Sequence, residues 1–193
     1  MATPTFLPLL NSIAVNEAKG EILLRTWAEA TQDATLEAAL RFVAIREGEH
    51  AAAFTKRMCE LGHAVDESTA YQVFKNFDEL VACAGGDASD AEKVAMLTGN
   101  QNGEDRGESR DPFRGFFNDT TIDPQTGALL GRYICEERDS GRRLQAEYQR
   151  VCGAQNHAPA SADLAEMRAC IETLQAEVQS LKKAVKQKRA ATA

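Results

Sequence analysis

No two of the five cysteines stand at Cys-x-x-Cys spacing. A rubredoxin-like iron site needs paired cysteines close in sequence, so the chain carries none of that kind. The scattered, odd-numbered set (Cys59, Cys83, Cys135, Cys152, Cys170) fits reduced thiols rather than a disulfide framework. No run approaches the roughly 18 apolar residues that a transmembrane span needs, so no membrane role is expected. No alternating apolar–polar pattern of useful length appears, which argues against a sheet. The opening Met1-Ala2-Thr3-Pro4-Thr5 lacks the positive n-region of a signal peptide, and the expected location is the cytoplasm. Basic charge is scarce as well: 22 Lys and Arg stand against 29 Asp and Glu, a balance of −7. Residues 161–193 carry +2, so residues 1–160 carry about −9. An acidic body of that kind disfavours nucleic acid and suits cations.

What remains is ordinary soluble material, 44% apolar and 26% charged. Its 193 residues are enough for one helical bundle and an appendage. Ala, Leu, Glu, Lys, Arg and Gln dominate, so the expected fold class is all-α.

The clearest pattern is the series Leu36, Leu40, Val43, Glu47, His50, Phe54, Met58, Leu61, one face of a helix. Glu47 and His50 sit at its centre. Ionisable groups on a buried face cost several kcal/mol by order of magnitude unless paired, neutralised or metal-bound. Three readings stay open: a buried Glu–His hydrogen bond, a helix rolled so that both groups reach solvent, or an i, i+3 pair reaching a metal inside a bundle. A preceding stripe, Leu10, Ile13, Glu17, Leu24, Ala28 and Thr31, again centres on a carboxylate. Gln32, Asp33 and Thr35 interrupt it, with Asp33 or Thr35 suited to cap the next helix. The two helices therefore form an antiparallel hairpin. Glu17 lies 14 residues before Thr31 and Glu47 lies 14 after Asp33, which puts both at one height.

A third inward acid lies near the end of the bundle. Between Gly127 and Val151 the positions Leu130, Tyr133, Ile134, Leu144, Tyr148 and Val151 share a side, and Glu137 falls close to its centre. Glu136 falls about 90° away, and the residue three after Glu137 is Ser140. The competing reading is a solvated charged stretch, Glu136 to Asp139.

Glu17 followed by Glu47-Gly48-Glu49-His50, with Ile134-Cys135-Glu136-Glu137-Arg138-Asp139 later, resembles the ferritin-like, rubrerythrin-type di-iron carboxylate proteins. In that family each half of a four-helix bundle supplies a Glu and a Glu-x-x-His. The resemblance spans roughly residues 5–152 and is carried chiefly by the first two helices. It departs at the second motif, where Ser140 replaces the His after Glu137, or Asp139 replaces it after Glu136. It also departs in lacking the paired-cysteine electron-transfer module of full-length members.

The third helix of such a bundle has two candidate segments. Tyr71–Ala84 carries a stripe at Phe74, Phe77, Val81 and Ala84, and Ala88–Thr98 carries Glu92 on its apolar side. Glu92 is either the missing outer ligand or a first-turn acid after a Ser89 or Asp87 cap. The long connection 100–126 holds Phe113, Phe116 and Phe117, aromatics suited to cap one bundle end or to form a contact surface. Asp123-Pro124-Gln125-Thr126 reads as a turn into the following helix.

The expected organisation is a ferritin-like bundle over 1–152, a linker over 153–160 and a coiled-coil helix over 161–190. In the last, Leu164, Met167, Ile171, Leu174, Val178, Leu181 and Val185 keep a heptad seam. Branched residues at a with Leu at d favour a parallel dimer, so homo-oligomerisation is expected. A fifth helix folded back on the bundle is the alternative.

Two functions follow. The resemblance implies a metal-binding, di-iron protein of oxidase, peroxidase or ferroxidase type, with Glu17 and Glu92 as outer ligands, Glu47 and Glu137 as bridges and His50 terminal. Manganese, or a single metal, suits the same residue types. The other is a helical adaptor with a degenerate site, working through its coiled coil and aromatic loop.

Overall fold

The structure is a computed structural model and describes residues 4–74, 76–101, 113, 116 and 118–156. All regular structure among the described residues is helical. Helix α1 (Leu7–Ala30) begins with a proline in its first turn, where a missing N–H costs nothing. Helix α2 (Ala34–Glu60) follows after a three-residue turn. Its cap is Asp33, whose Oδ1 accepts from Thr35 N and Leu36 N at 3.0 Å each. At its far end Gly62 takes φ +83°, and His63 N reaches Met58 O at 2.9 Å. That is the left-handed stop for which glycine is suited.

The chain then crosses α1 as a strap. Asn11 Nδ2 donates to Asp66 O, Ser12 Oγ accepts from Tyr71 N, and Asn16 holds Tyr71 O and Val73 N. A short 3-10 turn at Glu67–Thr69 lies within it. The helix expected from Tyr71 therefore starts only at Phe77, because side chains of α1 take the backbone groups that a helix would use. Two short helices follow, α3 (Phe77–Gly85) and α4 (Asp90–Gln101). Asp90 ties the start of α4 to α1 through Trp27 Nε1 and Thr31 Oγ1, both at 2.7 Å.

Helix α5 (Pro124–Asn156) is entered through Asp123, whose Oδ1 accepts from Gln125 N and Thr126 N at 3.0 Å. Arg57, buried on α2, grips that turn through Asp123 Oδ2 at 2.8 Å and Thr126 Oγ1 at 2.9 Å. Residues 102–112, Phe117 and 157–193 lie outside the described residues, and with them the expected coiled coil and most of the linker.

The core divides in two. At the α1–α2 turn, Leu23, Trp27, Leu36, Leu40, Leu80 and Val151 pack together. At the other end Leu10, Phe54, Met58, Leu130 and Ile134 form a second cluster, joined by Phe113 and Phe116 of the long connection. Each fully buried side chain of this size contributes about 1.5–3 kcal/mol. Between the clusters lies a layer of carboxylates and one imidazole. No described helix is long and apolar enough to cross a membrane.

Candidate metal centre

The layer is built by three helices. Glu17 comes from α1, Glu47 and His50 from α2, and Tyr133, Glu136 and Glu137 from α5. One donor atom each from Glu17, His50 and Glu137 falls within 4.8 Å of the others. His50 is 3% exposed and Glu17 5%. Glu17 Oε1 accepts from Tyr133 Oη at 2.8 Å, and its Oε2 lies 3.0 Å from His50 Nδ1. The second ring nitrogen, Nε2, lies 2.8 Å from Glu136 Oε2, and Arg132 Nε steadies that carboxylate at 3.0 Å. Glu137 Oε1 is 3.3 Å from His50 Nδ1 but lacks hydrogen-bond geometry. Among the described residues it is the buried side-chain oxygen or nitrogen left without a hydrogen-bond partner.

Crowding of acids sets the protonation. Burial pulls the His50 imidazole down, but the carboxylates of Glu137, Glu17 and Glu136 outweigh it and push its pKa up to about 10. Glu17 is raised, first by burial and then by the charge of Glu137, against the hydrogen bonds from His50 and Tyr133. Burial, then the charges of Glu17 and Glu137, put Glu47 well above the usual carboxylate range. Glu136 behaves oppositely: burial would raise it, yet hydrogen bonds from His50 and Arg132 hold it low. The layer is therefore a set of oxygen and nitrogen donors whose negative charge is balanced by protons, an arrangement that a cation can take over.

Glu47 is half-buried, and its carboxyl lies against Gly20 of α1. A Cβ on Gly20 would fall 3.2 Å from Glu47 Cδ and closer still to Oε2. The reverse pairing follows one residue on: a Cβ on Gly48 would fall 2.8 Å from Glu21 Cδ. Each helix thus offers a glycine where the other presents a carboxylate.

On the far side of α2, Arg46 Nη1 donates to Glu136 O, Asp139 Oδ2 and Ser140 Oγ at 2.9, 3.0 and 3.1 Å. A guanidinium therefore engages positions 139 and 140, the two at which the resemblance would call for a second histidine. Glu92 is also apart from the layer. It is exposed, and its Oε2 accepts from Ser89 N and Oγ at 2.8 and 2.7 Å, a capping box on α4. Of its two expected roles, Glu92 therefore takes that of a first-turn acid after a Ser89 cap, and it does not stand beside Glu17.

Two cavities flank the layer. One of about 770 Å³ lies between α1, α5 and the strap, with Glu17, Glu47 and Glu137 on its floor. The other, about 330 Å³, reaches His50 beside Glu49 and Arg132.

Of the residues expected from sequence, Glu17, His50 and Glu137 meet, Glu47 lines the same cavity, and Glu92 does not join them. Glu136, the alternative to Glu137 in the second motif, lies on the other ring nitrogen of His50. Tyr133 and Arg46 carry no site signal of their own in the sequence. For Gly20 and Gly48 a signal exists: each costs a helix interior about 0.8–1 kcal/mol relative to Ala, which asks for a packing reason. No family model, curated protein or solved structure matches this chain.

Proposed function

We propose that this protein holds one redox-active divalent ion, iron or manganese, on Glu17, His50 and Glu137, with Glu47 as a further donor. The observation that carries this reading is Glu137 Oε1, buried beside two other donors and left without a hydrogen bond. That oxygen is compensated by the nearby imidazolium charge rather than by a hydrogen bond, and a cation would bond it directly. Carboxylate and imidazole donors suit iron and manganese. The order of Glu17, Glu47 and His50, similar to a rubrerythrin-type half-site, supports the same reading.

One ion rather than two is favoured because Arg46 already neutralises Asp139 and engages Ser140, while Glu92 is committed to its capping box. Such an ion supplies one-electron chemistry with oxygen or peroxide, which makes an oxidase, peroxidase or ferroxidase the activity class. The chain's own residues orient the donors. Glu136 accepts the Nε2 proton of His50 and so turns the Nδ1 lone pair inward, and Tyr133 fixes the Glu17 carboxylate.

Metal analysis after anaerobic reconstitution with ferrous iron or Mn²⁺ tests this. The expected result is about one ion per chain, with Glu137→Gln weakening it about tenfold or more. Two ions per chain would restore the di-iron reading. No bound ion would leave a closed polar network, favouring the helical adaptor, a reading to which the satisfied oxygens of Glu17 already lend support.

A further inference from the structure

We propose that the cavity of about 770 Å³ is a binding site for a neutral, largely hydrocarbon small molecule seated against the carboxylate layer. The cavity is partly open to solvent, so a molecule can enter it without the fold opening. Its volume falls within the roughly 300–1,000 Å³ of small-molecule sites, which are mostly apolar with a few convergent polar groups. Here Leu9, Ile13, Leu24, Phe74 and Leu144 supply apolar wall, and Glu17, Glu47 and Glu137 are the convergent groups.

The lining also says what does not fit. None of the described lining residues is basic, so an anionic headgroup, phosphate or carboxylate, finds no cationic partner among them. The polar side chains at the rim are already engaged. Ser12 Oγ accepts from Tyr71 N, while Asn16 donates to Tyr71 O and accepts from Val73 N. A sugar or nucleotide would therefore meet few free donors. At the mouth, Tyr71 and Val73 are 66% and 53% exposed, an apolar approach on a strap that hydrogen bonds pin to α1. The binding itself is independent of metal. That the occupant would lie beside a redox centre rests on the function proposed above, and would make it an apolar organic substrate.

The test is titration of the full chain, metal-free and metal-loaded, with the neutral fluorophore N-phenyl-1-naphthylamine. The expected result is saturable binding at one site in both forms. Trp27, the one tryptophan, stacks at 5.5 Å on Tyr148 of the cavity wall, so exciting it should sensitise the bound probe. Leu144→Trp and Leu9→Trp, which fill the space, should each weaken binding about tenfold or more under direct probe excitation. Ile45→Trp, a similar change at a residue 65% exposed and away from the cavity, should leave it unchanged. A sulfonated naphthyl analogue should bind about tenfold more weakly. Absent saturation, equal effects of Leu144→Trp and Ile45→Trp, or equal affinity for the sulfonate would overturn the proposal. Metal stoichiometry, measured on the same samples, shows separately whether the ion site stands.

Discussion

In the metal-free protein both ring nitrogens of His50 face carboxylates, Nδ1 toward Glu17 and Nε2 toward Glu136. Glu137 adds charge from α5, the Glu47 carboxyl faces the layer from α2, and Tyr133 and the Glu136–Arg132 pair lie beside them. The folded pKa of His50, about 10 against an ordinary 6.5, means the imidazolium stabilises the fold fully below about pH 6.5. That stabilisation is lost as pH rises toward 10. Glu17 and Glu47, both raised, act in the same direction, since their neutral forms suit the folded state. The melting temperature of metal-free protein should therefore fall between pH 6.5 and 10, and His50→Gln should flatten the slope. A flat profile in the unmodified chain would contradict the arrangement. Gly20→Ala separates fold from site. The substitution favours the helix by about 0.8–1 kcal/mol, yet its Cβ displaces the Glu47 carboxyl. Thermal stability should hold while metal affinity drops about tenfold or more. Full metal binding in that variant would show that Glu47 is no ligand.

Local signals and long-range ones part company among the elements. The α1–α2 hairpin is legible because each stripe runs for many turns and Asp33 stands where a cap belongs. Its side chain also receives Arg150 Nη1 and Nη2 at 2.8 Å, tying the turn to α5. Asp33→Ala should cost about 1 kcal/mol from the cap, the exposed ion pair adding less, as read by urea unfolding. An unchanged midpoint would mean that the turn holds α2 without its cap. The segment around Tyr71–Phe74 is not legible: its apolar spacing suits a helix, but Ser12 and Asn16, nearly sixty residues earlier, capture its backbone. No window of neighbouring residues contains that information. Glu92 shows the reverse, since Ser89-x-x-Glu92 is a local capping signature that outweighs a weak stripe. Between Glu136 and Glu137 the stripe does not decide: at about 90° from it, a side chain of glutamate length still reaches His50 sideways.

At the scale of the molecule, two apolar clusters enclose the ionisable layer from both ends, so access to it is through the flanking cavities. The heptads beyond Pro159 supply the means of self-association that we propose for the chain. A chain ending at Asn156 should form an assembly of fewer subunits in light scattering; an unchanged subunit number would overturn that proposal. Arg46 has a consequence of its own. It is a counter-ion that belongs to the polypeptide, so neither chelation nor dialysis strips it. Asp139 and Ser140 keep their partner through metal starvation, and α2 stays latched to α5. Starvation is then felt on one side alone, where Glu17 and Glu137 lose the ion we propose they share. On the proposed function, such a protein would empty without coming apart and stay ready to refill.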